Sequence, residues 1–243
     1  MDKKSFKFFS ISIVGGIFGG FLALSTNLNL LGLVGFSSGV EKNEESLRPS
    51  PTPKTNSSDI WEKIVFESSF GSVGIQVFKD GKILNQGSGL AISSDGLIVS
   101  VADLFVIDGV YQIFYEDKIF RGNVITKDFK SNLILIKTDS QFKNVADLDY
   151  VTGYQSGKEI VAVGKMVNLA ESLVFSQKGV ISYATDAKVV LDLLTNNYLK
   201  GSSVFDKDNN FLGIVFVRNG RANLVKGSVV NSFVDDSIDK NSK

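Results

Sequence analysis

The sequence predicts an all-β domain, a barrel or a sandwich, on three observations. Short apolar segments with a two-residue period recur along the chain, as at residues 73–78 and 97–100, and this alternation is typical of strands. Turn sequences rich in Asp, Gly and Ser separate them, for example 79–82 and 93–96. Only residues 228–236 have a clear helical pattern. Many short strands joined by tight turns indicate a barrel or a sandwich.

The other strands are predicted where a short apolar run follows a turn sequence. They are residues 89–92, 111–115, 118–126, 133–137, 159–163, 179–183 and 211–217. A short helical turn at 60–65, capped by Ser58 or Asp59, is predicted ahead of the first strand. The folded domain is therefore expected to extend over residues 60–238.

Composition and charge narrow the class of protein. The 243 residues suffice for one domain with appendages, and a hydrophobic content of 43% suffices for a core. Lys+Arg and Asp+Glu number 26 each without a long basic run, so nucleic-acid binding is not expected. The chain has no Cys and no His. These absences exclude disulfides and thiolate zinc sites and remove the usual general base of proteases. No cofactor and no metal site are predicted.

An apolar segment at residues 8–36 carries no charge, whereas residues 1–7 contain three lysines. About 20 apolar residues suffice to span a bilayer, and the preceding positive charge directs the N-terminus to the cytoplasm. We therefore predict a cytoplasmic tail at 1–7, a single transmembrane helix at 8–36 and an extracytoplasmic domain. A cleaved signal peptide is the alternative. All three prolines lie in residues 37–59, which are predicted to form a solvated linker.

Five sequence blocks, at residues 86–92, 95–100, 130–137, 157–164 and 178–182, precede a loop and hairpin pattern at 191–214. In sequence and in order along the chain, they resemble the protease domain of the HtrA group of trypsin-like serine proteases, with 191–214 resembling its nucleophile region. The resemblance implies two six-stranded antiparallel β-barrels of the trypsin-like serine protease fold. The first barrel is expected at about 68–150, the second at about 151–227, and a C-terminal helix at about 228–236.

The resemblance also locates the family's catalytic positions, and all three carry other residues here. Asp103 occupies the position of the histidine, Asn132 that of the aspartate and Lys200 that of the serine. A triad requires an attacking hydroxyl, an imidazole base and an orienting carboxylate. Tyr198 and Lys200 occupy the oxyanion-hole positions, where a bulky ring replaces a glycine. The resemblance therefore implies an inactive homologue, a pseudoprotease.

Two hypotheses about Lys200 remain open from the sequence. Ser202 and Ser203 are alternative nucleophiles that a lysine base would activate, or they are small loop residues. Alternatively, Asp103 and Lys200 form an ion pair that joins the two barrels.

Asp206, Asp208 and Asn210 resemble the start of a calcium-binding loop. The loop lacks the required Gly and Glu, and a hairpin turn accounts for the same residues. No calcium site is expected.

The function predicted from these observations is binding without hydrolysis. A membrane-anchored, inactive HtrA-like homologue would bind extended polypeptides or an HtrA-type partner. Homo-oligomerisation is a further expectation from the resemblance. The alternatives are an active serine endopeptidase with a non-standard site and a purely structural envelope scaffold.

Overall fold

The computed structural model describes residues 57–168 and 171–241 of the chain. The predicted transmembrane segment at 8–36 and nearly all of the predicted linker lie outside these residues. No helix among the described residues is long and apolar enough to cross a membrane.

The first six strands form a closed antiparallel barrel in the order β1-β2-β3-β6-β5-β4. Their bounds are β1 (Ser72–Lys79), β2 (Lys82–Ala91), β3 (Leu97–Val101), β4 (Val110–Tyr115), β5 (Lys118–Asp128) and β6 (Leu133–Thr138). Val, Ile and Leu on these strands fill the barrel. Ile75, Leu90, Ile98 and Leu135 are at most 1% exposed, which matches the β-branched and apolar composition of the predicted strands.

The next six strands form a second closed antiparallel barrel in the order β10-β11-β12-β9-β8-β7. Their bounds are β7 (Glu159–Asn168), β8 (Glu171–Ala184), β9 (Val189–Asp192), β10 (Ser203–Asp206), β11 (Phe211–Arg218) and β12 (Arg221–Lys226). The predicted all-β class with two six-stranded antiparallel barrels is therefore confirmed.

Strand β7 shows how the two barrels pack against each other. Ile160 and Ala162 belong to the core of the second barrel, while Val161 and Val163 belong to a larger apolar cluster shared with the first barrel. Successive side chains of a strand point to opposite faces, so one strand contributes to both cores. The interface between the barrels is therefore apolar and continuous with the first core.

A helix flanks the barrels at each end of the described chain: α1 (Ser57–Ser69) and α2 (Gly227–Asn241). The predicted short turn at 60–65 is wrong in extent, because α1 has 13 residues. Trp61 and Ile64 are three positions apart and both are buried, and the Lys178 ammonium lies 4.9 Å from the centre of the Trp61 ring. Packing on the second barrel thus stabilises a helix whose sequence pattern is weak.

Candidate functional site

The three positions that the resemblance assigns to a catalytic triad, Asp103, Asn132 and Lys200, lie at or next to the ends of short elements. Asp103 is in a short 3₁₀ helix (Ala102–Leu104) that follows β3, and Asn132 immediately precedes β6. The Ala102 N–H donates to the Asn132 carbonyl at 2.9 Å, which joins these two segments. Lys200 follows a second 3₁₀ helix (Asn197–Leu199) of the other barrel.

The hypothesised ion pair between Asp103 and Lys200 is absent from the described residues. The ion pairs found there join Lys63 to Glu67, Lys137 to Asp95 and Lys158 to Asp206. The Lys200 segment contacts the first barrel through its backbone instead. The Ser88 N–H donates to the Lys200 carbonyl at 2.8 Å, so a hydrogen bond that needs no particular side chain joins the barrels here.

Gly201 allows the backbone of the Lys200 segment to approach Ser88 of the first barrel closely. Its φ is +79°, and a Cβ at this position would lie 1.9 Å from the Ser88 carbonyl oxygen and 2.7 Å from the Ser100 hydroxyl. The Ser100 hydroxyl itself donates to the Ser88 carbonyl at 2.6 Å. Only a residue without a side chain fits both the backbone conformation and the space.

At Tyr198, which the resemblance assigns to the oxyanion hole, the backbone N–H is already engaged. Asn196 caps the second 3₁₀ helix, and its side-chain oxygen accepts from the N–H groups of Tyr198 and Leu199, both at 2.9 Å. An oxyanion hole requires N–H donors that point to the developing charge. The Tyr198 N–H instead points to a side chain of its own loop.

Ser202 and Ser203, the alternative nucleophiles, are 0% and 1% exposed. The Ser202 hydroxyl donates to the Tyr198 carbonyl at 3.3 Å, and the Ser203 hydroxyl donates to the Val163 carbonyl at 3.0 Å. Neither hydroxyl is bonded to Lys200. A buried hydroxyl that donates to a carbonyl is neither accessible to a substrate nor activated by a base. These serines act as packing residues in this geometry.

Strand β11 has an unpaired backbone edge next to the segment that contains Gly201 and Ser202. Its Val215 N–H donates to the Ser202 carbonyl and its carbonyl accepts from the Gly201 N–H, at 2.9 and 2.8 Å. Val217, two residues further on, directs its N–H and C=O to the same side. The pairing of β10 with β11 ends at Ser203 and Ile214. Within the described chain, the N–H and C=O of Val217 therefore have no strand partner on the side of β11 that pairs with β10 further back along the strand.

A groove with a volume of about 660 Å³ is lined in part by Phe216 and Arg218, the two neighbours of Val217 on β11. It is formed by the segment before β6, the turn between β8 and β9, and the outer faces of β11 and β12. Its charged and amide residues are Lys130, Asn132, Asp186, Lys188, Arg218, Asn219, Arg221, Asn223 and Lys226. Asn132 thus lies at the wall of a predominantly basic groove.

Asp206 forms a turn and not a cation site. One of its carboxylate oxygens accepts from the N–H groups of Asp208 and Asn210, both at 3.0 Å, and the other contacts the Lys158 ammonium at 2.8 Å. Burial raises the pKa of this carboxyl, but the hydrogen bonds from Lys158 and Asn210 outweigh burial, so its pKa lies below the ordinary value. Among the described residues, no acidic cluster is suited to hold a metal ion.

No protein-family model matches the chain in sequence, and no curated protein does. A solved structure does match it: the serine endoprotease from Yersinia pestis, with a TM-score of 0.62. The match covers 74% of this chain and 67% of that chain at 17% sequence identity. The fold is trypsin-like. At this identity the likeness establishes the fold alone, which confirms the fold that the sequence blocks implied.

Sequence reasoning missed the basic groove and the cap of the second 3₁₀ helix. The groove's five cationic residues are spread from Lys130 to Lys226, so no local run marked them. The cap could have been predicted from the sequence, because Asn is a preferred residue at the position before a helix and Asn196 occupies that position. Its consequence for the Tyr198 N–H depends on the loop geometry and required the structure.

Proposed function

We propose that this protein is a catalytically inactive HtrA-like trypsin-fold homologue that binds extended polypeptides. The observation that carries the proposal is the hydrogen bond from the Tyr198 N–H to Asn196. It removes an oxyanion donor from a site whose nucleophile position already holds Lys200. Loss of both functions leaves the double barrel with a cleft but without the means to cleave a peptide bond.

The case against hydrolysis rests on three separate requirements. A serine-type mechanism needs an accessible hydroxyl, a base beside it and donors for the oxyanion. Ser202 and Ser203 are buried and donate to carbonyls. The Asp103 carboxylate has no hydroxyl partner among the described residues, and the position of the family's nucleophile holds Lys200. Each requirement fails for its own reason, so no single substitution supplies them all.

The case for binding rests on the edge of β11. Val217 directs an N–H and a C=O away from β12, to a side where it has no strand partner among the described residues, and an extended peptide can pair with such an edge without any catalysis. Phe216 and Arg218, which flank it in sequence, line the adjacent groove. The binding mode therefore uses backbone hydrogen bonds at the edge and side-chain contacts in the groove.

The test combines one measurement of hydrolysis with one of binding. The purified domain is expected to leave fluorescent casein uncut and to remain unlabelled by a fluorophosphonate probe, while extended peptides bind it in a fluorescence anisotropy titration. Cleavage of casein together with covalent labelling of a serine would establish the alternative, an active endopeptidase. Absence of any peptide binding would favour the structural scaffold.

Restoring the family's triad by Asp103→His, Asn132→Asp and Lys200→Ser together is expected to leave casein hydrolysis at background. The reason is that the Tyr198 N–H remains bonded to Asn196, and removal of one oxyanion donor alone lowers kcat by about 100- to 1,000-fold. The readout is the initial rate with fluorescent casein, compared with the unmodified domain. A melting curve shows whether the triple variant is folded. Robust cleavage by this variant would contradict the assignment of the Tyr198 N–H.

The membrane topology is a further part of the proposal. The three lysines in residues 1–7 and the uncharged segment at 8–36 support a single-pass anchor with a cytoplasmic N-terminus. Extraction of membranes at alkaline pH is expected to leave the full-length chain in the membrane fraction. Release of a shortened chain into the soluble fraction would instead indicate a cleaved signal peptide.

A further inference from the structure

The groove beside β11 concentrates positive charge in a chain whose net charge is zero. Five cationic residues line it, namely Lys130, Lys188, Arg218, Arg221 and Lys226, against a single acidic residue, Asp186. They come from four separate segments that the fold brings together. An excess of one charge in a concave site raises the local concentration of ligands with the opposite charge.

The structure fixes some of these cations in place. The Lys226 ammonium donates to the carbonyls of Thr185 and Asp186 at 3.0 and 2.7 Å, which holds it against the turn between β8 and β9. The Arg218 guanidinium lies 5.3 Å from the centre of the Phe216 ring. Arg221 is directly opposite Arg218 in the β11–β12 hairpin. The two guanidinium groups therefore start from neighbouring positions at one end of the groove.

Asn132 supplies a second, independent indication of a ligand. Its residue is 7% exposed, and its side-chain amide nitrogen is buried without a hydrogen-bond partner. Its φ of +60° places the residue in the left-handed region. Buried donors are nearly always paired in folded proteins. The nitrogen is enclosed in this structure, so a small movement of the Asn132 side chain would let it donate to an oxygen of a ligand bound in the groove.

We propose that the groove selects acidic polypeptide segments. Carboxylate side chains of an extended peptide would contact Arg218 and Arg221, and an oxygen of the peptide would accept from the Asn132 amide. The inference rests on the proposed function, because the same peptide would pair with β11 at Val217. It adds the chemical class of the ligand, which the edge alone does not determine.

A peptide fits the groove better than a small anion for two reasons. The cations are distributed over four segments, whereas a single phosphate needs them at one point. Two residues of the groove, Phe216 and Arg218, also flank Val217 on β11, and only a polypeptide can use the Val217 N–H and C=O together. We therefore infer an extended acidic peptide as the occupant.

The experiment compares three fluorescent peptides of equal length with alternating Val–Glu, Val–Gln and Val–Lys sequences. We expect the acidic peptide to bind the domain about 10-fold more tightly than the neutral one and the basic peptide to bind most weakly, because complementary charge favours the acidic ligand. Anisotropy titrations at low and physiological salt give the dissociation constants. The advantage of the acidic peptide should shrink as salt rises.

Charge reversal locates the binding site. Arg218→Glu with Arg221→Glu is expected to weaken binding of the acidic peptide by about 10-fold or more. The matched control is Lys82→Glu with Lys118→Glu, which changes the net charge equally at exposed positions of the first barrel and should have little effect. Asn132→Gly keeps the left-handed conformation accessible and removes the amide, so it should also weaken binding. Melting curves confirm that each variant is folded.

The outcomes separate the two proposals. If acidic and neutral peptides bind equally, or if both double variants behave alike, the acidic selectivity is wrong while polypeptide binding stands. If none of the three peptides binds, both proposals are wrong. If inorganic phosphate binds at this groove and fully displaces the acidic peptide at low concentration, the groove is a small-anion site and the peptide assignment is overturned.

Discussion

Replacing Gly201 by alanine is expected to lower the free energy of unfolding by roughly 3 kcal/mol or more. A left-handed conformation costs a residue with a Cβ about 1–2 kcal/mol, and forcing an atom into a packed site costs about 1–3 kcal/mol. Both apply, because φ is +79° and the added Cβ would lie 1.9 Å from the Ser88 carbonyl oxygen. The contact joins the two barrels, so the alanine has to displace one from the other. Urea denaturation of the domain measures the loss.

A matched control exists at Gly81, in the turn between β1 and β2. Its φ is +73°, but no atom lies within 4 Å of the Cβ that alanine would add. Gly81→Ala is therefore expected to cost only the backbone strain, about 1–2 kcal/mol. Equal losses for the two variants would show that the contact with Ser88 does not hold the barrels together. Lys200→Ala, one residue earlier, should have little effect because no ion pair of Lys200 is present among the described residues.

Much of the double-barrel architecture could be predicted from period-two apolar segments. The predicted strand at 73–78 became β1, and the one at 133–137 became β6, because both contain several Val, Ile or Leu residues that fill the first barrel. The sequence blocks supplied the topology, since alternation alone does not distinguish a barrel from a sandwich. The order of the blocks along the chain therefore decided in favour of two barrels.

Other strands form against weak local signals. Strand β8 begins at Glu171, well before the predicted 179–183, and its first half is largely exposed although it contains Leu173, Val174 and Phe175. It forms because ten consecutive residues pair with β7, and such pairing depends on a distant segment. Strands β9 and β12 were not predicted. Each has only four to six residues. Both are defined by pairing with two neighbouring strands, β9 with β8 and β12, and β12 with β9 and β11.

The candidate site, like the strands, has features that could be predicted from the sequence and features that could not. The residue types at Asp103, Asn132 and Lys200 are visible in the sequence and already argue against a triad. The hydrogen bond that engages the Tyr198 N–H and the burial of the Ser202 hydroxyl depend on loop geometry. The expected pair of Asp103 with Lys200 failed because the backbone contact to Ser88 joins the barrels without it.

Removal of the Asp206 charge by Asp206→Asn is expected to lower the free energy of unfolding by about 2–3 kcal/mol at neutral pH. Asp206 is 1% exposed, and its carboxylate makes the ion pair with Lys158 at 2.8 Å and accepts from the Asn210 amide at 3.1 Å. Hydrogen bonds between a charged group and its partners are worth about 1.5–3 kcal/mol. The asparagine still accepts the backbone bonds of the turn, so the loss reports the charge. Chemical denaturation at pH 7 measures it.

The pH dependence of stability provides a second readout of the same carboxyl. Its pKa in the folded protein lies below the ordinary value of 3.8, so below about pH 4 the unfolded chain binds a proton more readily than the folded one. Stability from this group is therefore complete above the unfolded pKa and is lost as the pH falls through the folded pKa. The difference between the wild type and Asp206→Asn should shrink over that acidic range.

Asp95→Asn is the matched control, because it also removes an aspartate that is paired with a lysine. The Lys137–Asp95 side chains are 36% and 69% exposed, and exposed pairs contribute roughly 0–1 kcal/mol. High salt should reduce that small contribution further, whereas the buried Asp206 pair is screened less. If Asp206→Asn were no more destabilising than Asp95→Asn, or if its effect persisted unchanged at acidic pH, the ion pair with Lys158 would not stabilise the second barrel.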